Sequence, residues 1–314
     1  MQVILGIDTS NYTTSAALID AATGQIVSSQ RRLLPVKAGE CGLRQSNAVF
    51  HHTAALPEIV RAAYDGVEAQ TVAVAVSQKP SAREGSYMPC FLAGVNAASV
   101  CATALGVPLY RTSHQAGHVL ACLYGCDKLQ SLKAPFLCFH VSGGTTDALL
   151  VSPGTDEFSI EQVACSMDLK AGQAIDRIGV KMGLPFPAGK ALELLALNSE
   201  KHYKKSGYLK GADCSFSGLQ NLAEKMISNC ESAEDTAKFT LDYIGNTLEK
   251  ICLVLRENYG DLPLFFAGGV MSNSIIREKL TRSLGAYFAP AAYAADNAAG
   301  VAVYGYLQWN SSKN

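Results

Sequence analysis

The chain has no excess of charge of either sign. Its 314 residues include 26 Lys and Arg and 27 Asp and Glu, which gives a net charge of −1. A free-standing nucleic-acid binder normally carries clustered cations to pair with phosphates, so the composition gives no support to that class. Two local basic segments, Arg31-Arg32 and residues 201–210, keep a nucleic-acid contact open.

Cysteine pairs and long uninterrupted apolar runs are also missing. None of the 10 cysteines forms a Cys-x-x-Cys pair, and several lie inside apolar runs, which is typical of buried thiols in a reducing compartment. The longest apolar stretch, residues 286–306, is interrupted by Asp296 and Asn297, so no membrane span is expected. The first predicted strand begins within two residues of Met1, so no signal segment is expected either. The sequence predicts a cytoplasmic protein without a membrane partner.

One sequence pattern occurs twice. Residues 4–19 align without a gap on residues 136–151, which places Thr13-Thr14 on Thr145-Thr146. Each copy is an apolar run, a polar turn and a second apolar run, and this pattern predicts a β-hairpin. Such a turn presents backbone N–H groups and hydroxyls at one end of a sheet, where a phosphate can bind.

Each predicted hairpin begins one half of the chain. In both halves strands and helices alternate, as in a layered α/β protein. At 48% hydrophobic content the chain can bury a sizeable core in two domains, which we predict over residues 1–112 and 113–314, the second with a helical insertion. Residues 198–216, polar and rich in Lys and Gly, are expected to form a mobile insertion. The repeated layout resembles the actin-like and sugar-kinase-like ATPases, whose two ribonuclease-H-like lobes hold a nucleotide. This resemblance predicts a nucleotide and metal cleft between the lobes.

Three residues form a candidate metal site. His114 and His118 are four residues apart, which puts both imidazoles on one face of a helix. Gln115 stands where a zinc protease requires a Glu base, so that class is excluded. Asp296 interrupts a small, apolar run and supplies a carboxylate, and this set suits Fe(II) or Zn(II). Capping or packing histidines, and a helix N-cap at Asp296, are the alternatives.

Glycine turns form a candidate nucleotide site. Ser142-Gly143-Gly144, followed by Thr145, and Gly268-Gly269, followed by Asn273, can bring the backbone close to a phosphate or an adenosine. Tight structural turns explain these glycines equally well. Asp176 and the loop that ends at Gly189 can hold a ribose, although a solvated helical face is the default interpretation of that aspartate.

Together these residues resemble one family along nearly the whole chain, the glycoprotease-like tRNA N6-threonylcarbamoyladenosine synthase catalytic subunits. The matching segments are ILGIDTS, LRQSNAVFHHTAALPEIV, SHQAGHVLA, HVSGGTTDALL, AGQAIDRIGVKMGLPFPAG, CSFSGL, AGGVMSN and ADNAA. The resemblance implies transfer of threonylcarbamoyl from its adenylate to the tRNA adenosine beside the anticodon. It implies a metal held by His114, His118 and Asp296. The residues it implies around the adenylate are Ser142, Gly143, Gly144, Asp176, Gly189 and Asn273. The implied partners are tRNA and a second copy or a related family member in a dimer.

The first turn departs from the family pattern. The family has a Cys-Asp-Glu-Thr sequence there, whereas this chain has Asn11-Tyr12-Thr13-Thr14. Asp8, at a position where the family has Glu, is then the candidate substitute base, or a structural hairpin residue. Two other loops also differ: Thr145 replaces a family His, and residues 78–85 replace a Gly-Pro-Gly-Leu loop. The alternatives are a non-catalytic, nucleotide-binding paralogue that scaffolds or regulates a related complex, and carbamoyl transfer to a different acceptor.

Overall fold

The computed structural model describes residues 1–10, 12–35, 43–154 and 158–313, so Asn11 of the first turn lies outside the described residues. The helices and strands in chain order are β1 (Gln2–Ser10), β2 (Thr13–Asp20), β3 (Ile26–Leu33), α1 (Gln45–Tyr64), β4 (Gln70–Lys79), α2 (Phe91–Leu105), β5 (Leu109–Ser113), α3 (His114–Gly125), β6 (Phe136–Val141), β7 (Thr146–Ser152), β8 (Ser159–Cys165), α4 (Ala171–Lys181), α5 (Gly189–Ala196), β9 (Tyr208–Lys210), β10 (Asp213–Ser215), α6 (Ser217–Ser228), α7 (Ala233–Tyr259), β11 (Leu264–Ala267), α8 (Ser274–Leu284), β12 (Tyr287–Phe288), α9 (Ala291–Ala294) and α10 (Ala299–Ser311).

The two predicted hairpins form with the same register. In the first, Ile4 lies opposite Ile19, and Ser10 lies opposite Thr13. In the second, Phe136 lies opposite Val151. The Ser142 backbone N–H donates to the Thr145 carbonyl at 2.7 Å, as the counterpart of the first hairpin's closing pair. The gapless repeat in the sequence therefore reflects two equivalent hairpins.

Each hairpin is part of a five-stranded sheet with the same topology. The strand orders are β3-β2-β1-β4-β5 and β12-β11-β6-β7-β8. In each sheet the three strands that begin the unit run antiparallel, and the two later strands join in parallel. β1 is buried along nearly its whole length, as expected for a central strand covered on both faces. This order and direction of strands is that of the ribonuclease-H-like fold, which confirms the predicted α/β class with two such lobes.

The chain divides into two units at points that differ from the predicted boundary at 112/113. The first unit is Met1–Asp127 with Ala295–Asn314, and the second is Lys128–Ala294. The C-terminal helix α10 belongs to the first unit because it packs on that sheet and on α3. A Cβ atom built at Gly300 would lie 1.8 Å from the Gly117 carbonyl oxygen, so the two helix backbones are in contact.

The helical insertion of the second unit lies between β8 and β11 and contains α4 to α7 with the short β9–β10 hairpin. Part of it, residues 198–216, was expected to be mobile, but the structure fixes it on α7. The Tyr203 N–H donates to Asp242 at 2.9 Å, and the Gly207 N–H donates to the Thr247 hydroxyl at 2.8 Å. Side-chain acceptors on a long helix therefore bind the backbone of a segment that is polar in sequence.

Two further expectations concern thiols and membranes. The cysteines in the described ranges are thiols, but the expectation that they are buried holds only in part, since Cys230 is exposed and Cys101, Cys126 and Cys165 are half-buried. Within those ranges no helix combines the length and the apolar character needed to cross a bilayer.

Candidate functional site

Helix α3 presents two histidines near its N-terminus. Ser113 caps the helix, its hydroxyl accepting from the Ala116 N–H at 3.1 Å, which fixes the start of the helix at His114. His118 follows one turn later, and the Nε2 atoms of the two rings lie 2.9 Å apart. His118 is buried and His114 is partly exposed. The predicted pairing of the imidazoles on one helix face is present.

Asp296 brings a carboxylate to the same point. Its Oδ1 atom lies 3.2 Å from His118 Nε2 and 3.8 Å from His114 Nε2. The capping alternative belongs to the next residue, because the Asn297 side-chain oxygen accepts from the Ala299 N–H at 2.9 Å. One ligand atom from each of His114, His118 and Asp296 lies within 4.8 Å of the others.

Asp8 supports this group from the sheet. It is fully buried at the end of β1, and its carboxylate accepts from the hydroxyls of Ser10, at 2.5 Å, and of Ser77. His114 Nδ1 lies 3.3 Å from Asp8 Oδ1. If Nδ1 carries the proton that Asp8 accepts, the lone pair of a neutral His114 is on Nε2 and faces His118 and Asp296. This is the usual arrangement of a carboxylate that orients a metal-binding imidazole.

The electrostatics of the pair agree with this arrangement. Burial by itself raises the pKa of Asp8, but the attraction and hydrogen bond of His114 and the two serine hydroxyls lower it overall. Burial lowers the pKa of His114, yet Asp8 and Asp296 outweigh it and raise that pKa to about 9. A cluster with two carboxylates and two imidazoles therefore favours positive charge at its centre.

The donor set fits a divalent transition metal. Two imidazole nitrogens and one carboxylate oxygen that converge on one point are ligands typical of Zn(II) and Fe(II) sites that leave positions open for substrate. His114, His118 and Asp296 would hold the ion, and Asp8 would orient His114.

The first turn shows what replaces the missing acidic residues. Thr13 is buried, and Tyr12 is partly exposed. The Thr14 hydroxyl lies 2.8 Å from His52 Nδ1, a contact between β2 and α1 that the sequence analysis did not identify. Its only signal was the histidine pair at 51–52 within a family-like segment.

The second turn forms the edge of the candidate nucleotide site. The Ser142 hydroxyl accepts from the N–H groups of Gly144, at 3.3 Å, and Thr145, at 3.1 Å. Gly143 and Gly144 are exposed, and open space surrounds the position of a Cβ atom at each. On the inner side, Gly172 at the start of α4 packs on this turn, since a Cβ atom there would lie 2.7 Å from the Gly143 backbone.

Asp176 lies one helical turn further along α4. Its Oδ1 atom accepts from the Ala188 N–H at 2.8 Å, directly before α5 begins at Gly189. Burial raises the pKa of Asp176, and the hydrogen bond from Ala188 offsets part of that effect. The aspartate therefore connects α4 to the Pro-Gly loop, a contact that a solvated helical face would not make.

The last residues predicted for the nucleotide site are the glycine pair after β11 and Asn273. Gly268 has φ of 102° and lies against the end of β6, where a Cβ atom would be 2.2 Å from the Val141 carbonyl oxygen. Gly269 is exposed and starts a short 3₁₀ turn, and the Asn273 side chain caps α8 by accepting from the Ile276 N–H at 3.1 Å. Glu193 of α5, which the sequence analysis missed, accepts from the Ser274 N–H and hydroxyl at 2.6 and 2.5 Å.

These contacts bring the predicted nucleotide residues together in the second unit. They run from the Ser142 turn to α4, from Asp176 to α5, from Glu193 to α8, and from Gly268 back to β6. The three candidate metal ligands and Asp8 are all in the first unit.

Comparison with known proteins identifies the family. The family model described as tRNA N6-adenosine threonylcarbamoyltransferase matches residues 23–303, which is most of the chain. This chain belongs to the tRNA N6-adenosine threonylcarbamoyltransferase family. The family member from Aromatoleum aromaticum is 31% identical, over 97% of this chain and 91% of its own length. The one from Dehalococcoides mccartyi strain BAV1 is 28% identical, over 99% of this chain and 94% of its own.

The solved structures share the fold at much lower identity. The crystal structure of the Acidaminococcus fermentans (R)-2-hydroxyglutaryl-CoA dehydratase component A is 13% identical, covers 99% of this chain and all of its own, and has a TM-score of 0.57. At this identity the similarity concerns the fold alone.

Proposed function

We propose that this member of the threonylcarbamoyltransferase family transfers a threonylcarbamoyl group from its adenylate to N6 of a tRNA adenosine. The single observation that carries the proposal is the convergence of His114, His118 and Asp296 in a chain that matches the family over residues 23–303. A partly buried cluster of two imidazoles and a carboxylate, with Asp8 in contact with His114, has little structural rationale unless it holds a cation.

The reaction is an acyl-type substitution at the carbamoyl carbon. The N6 amine of adenosine attacks that carbon, a C–N bond forms, and the C–O bond to the adenylate phosphate breaks. AMP leaves with the electron pair of that bond, and the proton from N6 passes to a base or to solvent. Holding the donor beside the amine replaces a bimolecular encounter by an oriented one.

His114, His118 and Asp296 would hold the metal, as Fe(II) or Zn(II). When bound, the ion supplies Lewis acidity that polarises phosphate and carbonyl oxygens. Asp8, 3.3 Å from His114 Nδ1, would keep His114 in the tautomer whose Nε2 lone pair faces the ligand position. Because the Asp8 carboxylate is fully buried and already engaged by Ser10, Ser77 and His114, we assign it a positioning role instead of the substitute base suggested by its sequence position.

The second unit would bind the adenylate. The exposed backbone of Gly143 and Gly269 offers N–H groups to a phosphate, and Gly144, whose N–H donates to the Ser142 hydroxyl, is exposed beside Gly143. The residues that we propose for this site are Ser142, Gly143, Gly144, Thr145, Asp176, Gly189, Gly268, Gly269 and Asn273. Asp176 would accept a hydrogen bond from a ribose hydroxyl through the oxygen that Ala188 does not use.

The partners and compartment follow from the same proposal. A tRNA acceptor and the set of cysteine thiols suit the cytoplasm. A dimer with a second copy or a related family member would supply what the first turn lacks, because Tyr12 and Thr13 offer no carboxylate to accept the N6 proton.

The test is a transfer assay that identifies the acceptor. Purified protein is incubated with threonylcarbamoyl-adenylate and with unmodified tRNA, with and without a related family member, and the nucleosides are analysed by mass spectrometry. We expect one threonylcarbamoyladenosine formed for each AMP that transfer releases, after subtraction of AMP from donor hydrolysis. Tight adenylate binding without tRNA modification in either mixture would instead favour the non-catalytic scaffold or a different acceptor.

A further inference from the structure

We propose that residues 201–210, here called the basic strap, form a surface that binds the tRNA through its phosphates and one unstacked base. The inference rests on the proposed function, and it assigns a contact surface that the metal and nucleotide residues do not provide.

The basic strap concentrates positive charge, although the whole chain has no excess of positive over negative residues. Its sequence, KHYKKSGYLK, contains four lysines, one histidine and no acidic residue, whereas the whole chain has a net charge of −1. All four lysines and His202 are exposed. A local cluster of this kind neutralises phosphates without making the rest of the surface basic.

The basic strap is held in place by its backbone, which leaves its cations outward. Asn246 of α7 donates from its side-chain amide to the carbonyls of Tyr203 and Lys205 at 2.7 and 3.0 Å. The Tyr203 N–H donates to Asp242, whose other oxygen is paired with Lys238 at 2.6 Å. The ring of Tyr203 packs edge-on against Phe239 at 5.2 Å between centroids. A pre-ordered surface loses less entropy on binding than a mobile one.

Three of the strap lysines are available for a partner. Lys201 is paired with Asp235 at 2.7 Å. In the part of the chain that the structure describes, Lys204, Lys205 and Lys210 have no ion pair. Asp213 lies opposite Lys210 in the β9–β10 pair, but its carboxylate accepts from the Cys165 N–H at 2.7 Å. These three lysines are therefore the candidate phosphate contacts.

An exposed aromatic ring accompanies the cations. Tyr208 is 69% exposed, and it is two residues from Lys210 on β9, so both side chains are on one face of the short hairpin. Proteins recognise single-stranded RNA loops by stacking unpaired bases on aromatic rings beside a cationic groove. The acceptor adenosine expected for this family, beside the anticodon, is in such a loop.

The same residues argue against a membrane partner. Basic segments that bind lipid surfaces combine cations with apolar side chains that enter the bilayer. Tyr203 and Leu209 of the basic strap pack against the hydrophobic core of the second unit instead. Tyr208, whose ring has a polar hydroxyl, is the exposed aromatic side chain that remains.

The experiment measures tRNA affinity against salt concentration. The test variant is Lys204→Ala/Lys205→Ala/Lys210→Ala, and the matched control is Lys181→Ala/Lys225→Ala/Lys250→Ala, which removes three exposed lysines of the same unit. If each strap lysine contacts one phosphate, the slope of log K against log salt becomes less steep by about 2 to 3, and affinity at 0.1 M salt falls about 100-fold or more. The control variant is expected to keep the wild-type slope.

A second pair of variants tests the ring. Tyr208→Ala is expected to weaken tRNA binding about fivefold or more with an unchanged salt slope, whereas Tyr208→Phe retains most of the affinity. Binding of an adenylate analogue and metal content should be normal in every variant, which shows that the fold is intact.

The possible failures are distinguishable. If the wild type modifies tRNA but the triple variant keeps its slope and affinity, the basic strap is not the contact surface and the proposed function stands. If the wild type binds no tRNA at any salt concentration, the proposed function fails as well. If the triple lysine variant loses binding to phosphatidylserine vesicles and keeps its tRNA binding, the basic strap is a membrane-binding surface and the inference is overturned.

Discussion

Replacing Asp8 by Asn is the sharpest test of how the metal site is held. The change keeps the size of the side chain and removes its negative charge. Asp8 is fully buried and 3.3 Å from His114 Nδ1, so no solvent screens this charge from the imidazole. The Asn side chain can also present an N–H to His114, which would favour the tautomer whose Nε2 carries a proton instead of a lone pair.

The expected magnitude follows from the position of Asp8 behind the ligands. Changes to a residue that orients a metal-binding histidine typically weaken metal binding about 10- to 100-fold, which corresponds to about 1.4 to 2.8 kcal/mol. Because the Asp8 carboxylate is buried, we expect the loss of metal affinity in Asp8→Asn to be near the upper end of this range. Asp8→Glu keeps the charge and has the residue type of the resembling family, so it should recover part of the affinity.

The assay is competition for Zn²⁺ against a chromophoric chelator. Asp20→Asn is the matched control, since it makes the same change at the far end of the same hairpin, where the carboxylate accepts from the N–H groups of Ala22 and Thr23. Asp8→Asn with wild-type zinc affinity, while it remains folded, would refute the positioning role.

Three further predictions concern packing, catalysis and the nucleotide. Gly300→Ala should lower the free energy of unfolding by at least about 1–3 kcal/mol and weaken metal binding, because its Cβ atom would lie 1.8 Å from the Gly117 carbonyl oxygen. Gly218→Ala is the control, because its Cβ atom would lie 3.4 Å from Tyr243 Oη, an ordinary contact distance. Chemical denaturation should show that its free energy of unfolding changes by less than about 1 kcal/mol. Tyr12→Asp should raise the transfer rate, since one general base contributes about 10² to 10⁴. Thr13→Glu should instead destabilise the fold, because that position is only 3% exposed, and equal rates and stabilities for the two variants would contradict this difference. Asp176→Ala should weaken binding of an adenylate analogue by about 1.5–3 kcal/mol in calorimetry, and unchanged affinity would remove this aspartate from the site.

Local patterns in the sequence predicted the central elements well. The repeat predicted both hairpins with their common register. Strand β3 was missed because it is an outer strand with mostly exposed residues, IVSSQRRL, and has no apolar alternation to reveal it.

Contacts between distant segments were harder to predict. His114 and His118 follow from helical spacing, and Asp296 from a charge in an apolar run, but the contact of Asp8 with His114 joins residues 106 positions apart. The division into units depended on α10 returning to the first sheet, where Gly6 packs against Ala302. A single sequence does not show which backbone segment a small residue packs against.

The most direct test of the central claim is the single-turnover yield of threonylcarbamoyladenosine with and without the metal ligands. Wild-type protein, His114→Ala/His118→Ala and the control His51→Ala are each mixed, in excess, with threonylcarbamoyl-adenylate and tRNA, together with any partner that the transfer requires. We expect product and stoichiometric metal in the wild type and the control, and neither in the ligand variant. Equal product from the ligand variant would contradict the assignment of the metal centre to the transfer reaction.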